Sequence, residues 1–124
     1  MTRVALVTGA TGLVGSHVVE RLVAEGWTVR ALVRDPRGAA WVRQLGVAEL
    51  ATGDVLDRAA FGAAATGCDV IFHTAAAITP EAATWEAYRS VNVGGTAAAI
   101  EAAKTSGARL MQVSSVAVYG PSGR

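Results

Sequence analysis

The feature that most constrains the fold is a glycine-rich segment, TGATGLVG at residues 8–15, which separates two different apolar patterns. The run before it, RVALV at residues 3–7, is short and β-branched, as is typical of a buried strand. After it, apolar residues recur at helical spacing, at Val14, Val18 and Leu22. Gly26 follows where a helix would end. The segment is therefore expected to turn a strand directly into a helix.

The same alternation continues along the chain. Strand patterns follow at residues 28–33, 48–51, 69–76 and 109–115. Helical patterns lie at residues 39–45, 57–65 and 84–106, and Asp57 is expected to cap the second of these helices. Apolar strands alternating with helices predict an α/β fold, a doubly wound parallel sheet covered on both faces. Right-handed crossovers favour five strands in the order 3-2-1-4-5. Ligands of such sheets bind at the carboxyl ends of the strands, beside the switch point between strands 1 and 4.

The three glycines of the segment have distinct physical uses at that position. Gly9 allows a tight turn, Gly12 lets a phosphate approach the backbone, and Gly15 lets the helix pack close to the strand. The helix start then offers free N–H groups and a positive dipole end to a pyrophosphate. In a strand–turn–helix context the pattern predicts dinucleotide binding, with a plain structural turn as the alternative.

Composition excludes several other classes of function. The 124 residues suffice for one domain, and a net charge of +1 provides no basic surface for nucleic acid. No apolar run is long enough to cross a membrane. The single cysteine, Cys68, can form no intrachain disulfide and has no base beside it in sequence, so an inert thiol and a reducing, cytoplasmic location are expected.

The Gly-x-x-Gly-x-x-Gly spacing resembles that of the short-chain dehydrogenase/reductase superfamily, and TGATGLVGSHVVERL resembles its extended branch, the NAD-dependent epimerase/dehydratases and dihydroflavonol-reductase-like enzymes. Further segments that resemble this branch follow in order: ALVRDP, GDVLD, FHTAA, VNVGGT and VSSVAVYG. The resemblance implies a Rossmann-type domain over residues 1–124. It also implies that the loop residues bind the cofactor, namely Gly9, Thr11, Gly12, Leu13, Val14 and Gly15.

The end of the second strand bears on which dinucleotide binds. The position that is acidic in NAD-binding relatives falls on Val33, and Arg34 follows, with Arg37 nearby. An arginine pairs with a 2′-phosphate, whereas a carboxylate accepts hydrogen bonds from a ribose 2′-hydroxyl. NADP(H) is therefore expected. NAD is the alternative if Arg34 only faces solvent and Asp35 binds the ribose.

Three other segments match places where the family binds its cofactor. Asp54 and Val55 resemble the pair that contacts adenine, although an aspartate after Gly53 is also common in turns. The small residues that end the fourth strand resemble those beside the nicotinamide ribose and phosphates, or serve only tight packing: Thr74, Ala75 and Ala76. His73 is expected to be half-buried, hydrogen-bonded and without a catalytic role. Asn92 resembles the asparagine that supports the fourth helix, with plain solvent exposure as the alternative.

The resemblance assigns a substrate-binding hydroxyl to Ser115, four residues before Tyr119, and an ordinary strand-end hydroxyl is the alternative. The family's acid/base pair, Tyr-x-x-x-Lys, is absent from these 124 residues: Asn92 and Gly123 stand four residues after the two tyrosines. The chain is therefore expected to be the dinucleotide-binding, N-terminal portion of an epimerase/dehydratase or carbonyl reductase, truncated after strand 5, without its substrate lobe and inactive alone.

Two other functions stay open, a non-catalytic dinucleotide-sensing or scaffold module and a folded remnant that binds nothing. The segment LMQVSSVAVYG would form a sheet edge with neither charge nor proline to protect it. Self-association through this edge is therefore expected.

Overall fold

The five strands form one parallel sheet in a computed structural model that describes residues 2–77 and 84–121. The order is β3-β2-β1-β4-β5, as predicted. The strands are β1 (Val4–Thr8), β2 (Thr28–Val33), β3 (Glu49–Thr52), β4 (Val70–His73) and β5 (Arg109–Gln112). The crossover from β1 leads to β2 on one side of β1, and the crossover from β3 leads to β4 on its other side, so the predicted switch point lies between β1 and β4.

The helices lie on both faces of this sheet. They are α1 (Leu13–Ala24), α2 (Arg58–Ala65), α3 (Trp85–Arg89) and α4 (Gly95–Ser106). The predicted weak helix at 39–45 is a 3-10 helix, Ala40–Leu45. The predicted single helix over 84–106 is instead α3 and α4 joined by a π-helical turn, Ser90–Gly94.

Two apolar cores separate the sheet from these helices. One contains Val19 and Leu22 of α1 with Val7 and Val29 of the strands. The other packs α2 and α4 on the opposite face, around Phe61. The helix α1 buries Gly15, Val19 and Leu22, and Val18 is partly buried against the same core, so the predicted apolar face was wrong only at Val14. Val14 is 50% exposed, because the contact of Gly15 with the loop sets how the helix is rotated.

The fifth strand is shorter than predicted. It ends at Gln112 rather than at Ser115, and Met111–Gly120 are all exposed. Val116–Tyr119 form a 3-10 turn. The predicted strand over 109–115 is therefore three residues too long. The strand ends together with its partner, since Gln112 pairs with His73, the last residue of β4.

Side chains form hydrogen bonds with backbone groups at both ends of α2. Asp57 caps α2 as predicted, since its Oδ1 accepts a hydrogen bond from the N–H of Ala60 at 3.0 Å. At the other end of α2, Arg30 donates to the carbonyls of Ala64 and Thr66 at 3.0 and 2.5 Å. A cation at this end also complements the helix dipole.

Candidate functional site

The glycine loop makes the close approach that its spacing predicts. Gly9 has φ +67°, a left-handed conformation that glycine adopts without strain. A Cβ at Gly9 would lie 2.6 Å from Thr74 Oγ1, and one at Gly15 would overlap the carbonyl of Gly9. Gly9 and Gly15 are therefore required because α1, the loop and the end of β4 touch through their backbones.

Gly12 differs from the other two glycines. It has an ordinary φ of −83°, and a Cβ there would meet only the carbonyl oxygen of Gly9, at 3.3 Å. A Cβ at Gly12 would thus require the Gly9 carbonyl to move by a few tenths of an ångström, a smaller change than at Gly9 or Gly15. The expectation that Gly12 lets a phosphate approach the backbone is not decided by these contacts and stays a prediction.

The start of α1 is open to an anion. Its N-cap, Gly12, has no side chain to bind the first N–H groups, and no acidic residue lies in the first turn. The N–H of Gly12 itself donates to the Gly9 carbonyl at 3.0 Å. Leu13 is 79% exposed, so the first turn faces solvent. Uncapped N–H groups and a positive dipole end at an exposed turn suit a phosphate.

The carboxyl ends of β1 and β4 are joined by side chains as well as by the ladder. Thr74 donates from Oγ1 to the Thr8 carbonyl at 2.6 Å. Thr8 Oγ1 lies 3.2 Å from the backbone nitrogens of both Thr74 and Ala75, whose N–H groups donate to it. The same oxygen lies 2.8 Å from His73 Nδ1. These hydrogen bonds fix the position of the Thr74 and Ala75 backbone beside the glycine loop.

His73 is buried more deeply than predicted and is not fully hydrogen-bonded. It is 1% exposed, and within residues 2–77 and 84–121 its Nε2 has no hydrogen-bond partner. Leaving a buried polar group unsatisfied costs roughly 1–3 kcal/mol. Burial also lowers the pKa of His73 below its usual range, so the ring is neutral at pH 7. The prediction of a satisfied, half-buried histidine was therefore wrong.

A sequence signal for this pair does exist. Thr8 and His73 are paired in the β1–β4 register and are the two buried polar side chains among the described residues. Each ends an apolar strand at the predicted switch point. Two polar residues at that place indicate a mutual hydrogen bond, because buried polar groups need partners.

The end of β2 presents the predicted charged residues to solvent. Val33 is buried, and Arg34 and Asp35 are exposed. Asp35 Oδ1 accepts a hydrogen bond from the N–H of Arg37 at 2.9 Å, so one carboxylate oxygen already closes a turn. Arg34 follows the carboxyl end of a strand that pairs directly with β1, which puts it on the same edge of the sheet as the glycine loop.

The end of β3 holds Asp54 in a local turn. Its Oδ1 accepts a hydrogen bond from the N–H of Leu56 at 3.0 Å, which is the turn geometry considered as the alternative to adenine binding. Val55 is partly buried against the α2 and α4 core. The carboxylate itself is exposed at the carboxyl edge of the sheet, so the turn and ligand binding are compatible uses of it.

Beyond β4, the polypeptide is tied to the helical layer. Asn92 Oδ1 accepts from the N–H of Ala77 at 2.7 Å, and Nδ2 donates to the Ala77 carbonyl at 3.1 Å. Asn92 therefore does not simply face water. It belongs to the π-helical turn, a wider turn that is often found at functional sites. The segment Thr74–Ala77 is thus held by Thr8 at its start and by Asn92 at its end.

Ser115 lies in the exposed segment after β5. Its Oγ accepts a hydrogen bond from the N–H of Ala117 at 3.1 Å and caps the 3-10 turn. The neighbouring Ser114 is exposed too. A hydroxyl that accepts one bond can still donate its proton to another group. The predicted contact with a substrate oxygen therefore remains a prediction.

Two other kinds of site find no support in the described part of the chain. There, no group of three or more His, Cys, Asp or Glu residues could hold a metal ion. Burial raises the pKa of the Cys68 thiol, and Arg30 opposes this more weakly. The thiol is therefore protonated at neutral pH and suits packing better than reaction.

Of the helices in residues 2–77 and 84–121, none combines the length and the apolarity needed to span a bilayer.

Comparison with known proteins agrees with this geometry. A model of the NAD-dependent epimerase/dehydratase family matches residues 5–124. The ceramide reductase of Caulobacter vibrioides is 44% identical over 120 residues, which are 96% of this chain and 37% of that protein. A short-chain dehydrogenase/reductase superfamily protein from Agrobacterium tumefaciens, solved with bound NAD, has 33% identity and a TM-score of 0.78 over 95% of this chain and 34% of its own.

The UDP-glucose-4-epimerase of Stenotrophomonas maltophila, solved with bound NAD and formylated UDP-arabinopyranose, superposes on the whole chain. The TM-score is 0.82 and the identity 26%, with 40% of the epimerase covered. The chain therefore spans roughly a third to two fifths of the length of these three proteins.

Proposed function

This chain belongs to the NAD-dependent epimerase/dehydratase family, and we propose that it forms the dinucleotide-binding portion of an NAD(P)-dependent epimerase/dehydratase or carbonyl reductase. The observation that carries the proposal is the difference between the loop glycines. Packing explains Gly9 and Gly15, whereas Gly12 is explained by a ligand that approaches its backbone. The exposed, uncapped first turn of α1 supports a pyrophosphate as that ligand.

The pyrophosphate then lies against the backbone of Gly12 and on the first free N–H groups of α1, at residues 13–15, with Thr11, Leu13 and Val14 lining the same exposed turn. Asp54 and Val55 contact the adenine, and Thr74–Ala76 lie beside the nicotinamide ribose. The support for these roles is that each residue follows the carboxyl end of its strand, on the edge where ligands of doubly wound sheets bind.

We assign NADP(H) as the preferred cofactor because of the charges at the end of β2. Val33 has no acceptor for a ribose hydroxyl, and one oxygen of Asp35 is already used by Arg37 N–H. Arg34 is exposed at this place and can pair with a 2′-phosphate through two parallel hydrogen bonds. Two of the structural relatives were solved with NAD bound, which describes those proteins. The preference of this chain between NAD and NADP has to be measured.

The chain by itself is proposed to bind dinucleotide without turning over a substrate. Ser115 would hold a substrate oxygen, and the residues 1–124 contain no tyrosine four positions before a lysine to transfer a proton. Substrate choice and chemistry would then come from the part of the relatives' length that these residues do not span. The proposed setting is a reducing, cytoplasmic one, which the single buried and unpaired Cys68 supports.

Calorimetric titration with NADPH and NADH tests both parts of the proposal. Gly12→Ala should weaken binding at least tenfold while leaving the fold intact, because the added methyl group meets only the Gly9 carbonyl oxygen, at 3.3 Å, which a shift of a few tenths of an ångström relieves. The matched control is Gly62→Ala, on α2, where a Cβ would meet nothing within 4 Å. Equal losses in the two variants, or no binding by the unmodified chain, would contradict dinucleotide binding at the loop.

The cofactor preference has its own pair of variants. Arg34→Gln should weaken NADPH binding by about tenfold and leave NADH binding nearly unchanged, since only NADPH carries the 2′-phosphate. Arg43→Gln removes an exposed charge from the 3-10 helix instead and controls for net charge. Tighter binding of NADH than of NADPH by the unmodified chain would overturn the preference.

A further inference from the structure

The Thr8 hydroxyl has as many polar neighbours as it can form hydrogen bonds. Its oxygen accepts hydrogen bonds from the N–H groups of Thr74 and Ala75, both at 3.2 Å, and it lies 2.8 Å from His73 Nδ1. A hydroxyl has one proton and two lone pairs. Both lone pairs are occupied by the backbone donors, so the single proton is available only for His73. Nδ1 must therefore be the acceptor, and the ring proton of the neutral imidazole is on Nε2.

We propose that His73 is a positioning residue: by accepting the Thr8 proton at Nδ1, it keeps Thr8 Oγ1 as a double acceptor and so fixes the backbone of Thr74 and Ala75 beside the glycine loop. The proposal extends the proposed function, since this backbone is the part that would lie beside the nicotinamide ribose. His73 touches no ligand in this account and acts through Thr8.

The unpartnered Nε2 is the second observation that points to this role. A histidine placed only for packing would be replaceable by an apolar side chain that leaves no buried donor without an acceptor. Here the Nε2–H faces apolar surroundings: a Cβ on Gly95 of α4 would lie 3.7 Å from it, and the ring lies 6.1 Å from that of Phe61 of α2. In this tautomer Nδ1 accepts the hydrogen bond from the Thr8 hydroxyl, and the Nε2–H is left without a hydrogen-bond partner.

The other protonation states do not fit the same contacts. With a proton on Nδ1, three donors would converge on Thr8 Oγ1, which has only two lone pairs, and its own proton would lose its acceptor. Within the part of the chain that the structure describes, the neighbouring elements offer no charge that would stabilise an imidazolium. They present Thr8 from β1, Phe61 from α2, Gly95 from α4 and the neutral Gln112 from β5, and burial alone shifts the titration of the ring.

Acid should therefore loosen the site. When His73 takes up a proton at Nδ1, Thr8 Oγ1 must release the N–H of Thr74 or Ala75 in order to accept the new one. The backbone at the end of β4 then shifts away from the glycine loop. Dinucleotide affinity is expected to fall as His73 becomes protonated, below the usual histidine range because burial disfavours the charged ring.

Nuclear magnetic resonance of the labelled chain tests the proton arrangement without any dinucleotide. At neutral pH the ring nitrogens of His73 should show a bare Nδ1 and a protonated Nε2. On titration from about pH 8 downward, through the ordinary histidine range and on through the lowered pKa of His73, the amide signals of Thr74 and Ala75 should move together with the ring signals. A proton on Nδ1 at neutral pH, or amide signals that ignore the ring titration, would overturn the proposal.

Binding measurements on variants give the second test. His73→Leu removes the acceptor but keeps an apolar side chain, and it should weaken binding of NAD⁺ roughly fivefold to tenfold, as loss of a buried hydrogen bond implies. His73→Asn offers an oxygen in the place of Nδ1 and does not titrate. It should restore most of the affinity and remove its fall in acid. Rescue that fails in a folded His73→Asn chain would contradict the positioning role.

NAD⁺ is the suitable probe because it has no 2′-phosphate that titrates in this range. A chain that shows the predicted ring and amide signals but binds no dinucleotide would refute the proposed function and leave His73 as the residue that sets the β4 backbone. A chain that binds NAD⁺ equally well in all His73 variants would refute the positioning role and leave the proposed function intact.

Discussion

Replacing Gly15 by alanine tests the close contact between α1 and the loop on which the site depends. The new Cβ would overlap the carbonyl of Gly9 and lie 2.7 Å from Thr74 Oγ1. The first neighbour is backbone, and the second donates to the Thr8 carbonyl at 2.6 Å, so neither can rotate away. Overpacking costs about 1–3 kcal/mol, and rigid neighbours favour the upper end of that range.

The higher helix propensity of alanine offsets part of this cost and has to be subtracted from it. Alanine is a better helix former than glycine by up to about 1 kcal/mol in a helix interior, and by less in the first turn. The net loss in the free energy of unfolding is then about 2 kcal/mol. For a domain of this size that corresponds to a fall in the melting temperature of roughly 6–10 °C.

Gly62→Ala on α2 is the matched control, because a Cβ there meets nothing within 4 Å. The same change of residue should raise the stability by about 0.5–1 kcal/mol at this open helix position. Thermal unfolding and urea unfolding, both followed by circular dichroism, measure the two variants. A Gly15→Ala chain that is as stable as the Gly62→Ala chain would refute the packing reason for the third glycine.

Three further outcomes are expected. Asp57→Ala should lower the stability by about 1 kcal/mol in urea unfolding, because the N–H of Ala60 loses its cap, whereas Asp57→Asn should retain most of it. Between about pH 6.5 and the lowered pKa of His73, this histidine is protonated in the unfolded chain and neutral in the folded chain. The free energy of unfolding should therefore fall as the pH drops through this window, by about 1.4 kcal/mol for each unit of the lowering, and should stay constant in His73→Asn. Self-association through β5 should appear in light scattering as the concentration rises, and Met111→Lys, on the exposed edge, should suppress it; a monomer at all concentrations would contradict this.

The sheet order and the glycine loop were predictable because local and global signals agree there. The central strands β1 and β4 are short apolar runs, and Asp57 stands just before the helix that it caps. The second strand was predicted with the bounds that the structure has. Where the pattern is this regular, right-handed crossovers leave few arrangements.

The remaining features depend on contacts that residue patterns do not contain. Val14 is apolar and marks a plausible helix face, yet α1 is turned so that Gly15 meets the loop. The end of β5 at Gln112 coincides with the end of its partner, since Gln112 pairs with His73, the last residue of β4. The burial of His73 follows from its pairing with Thr8 across 65 residues of sequence. Such a pairing becomes visible only once the strand order is known.

The most direct test of the central claim is to observe where a dinucleotide touches the chain. Adding NADPH to the labelled chain should move the amide signals of Gly12–Gly15 and of Thr74 and Ala75. Gly67 and Gly107 end the helices that lead into β4 and β5, at the opposite edge of the sheet, and their signals should stay in place. Shifts centred on these two glycines, or no shifts at the loop in the folded chain, would contradict a dinucleotide site at the β1–β4 switch point.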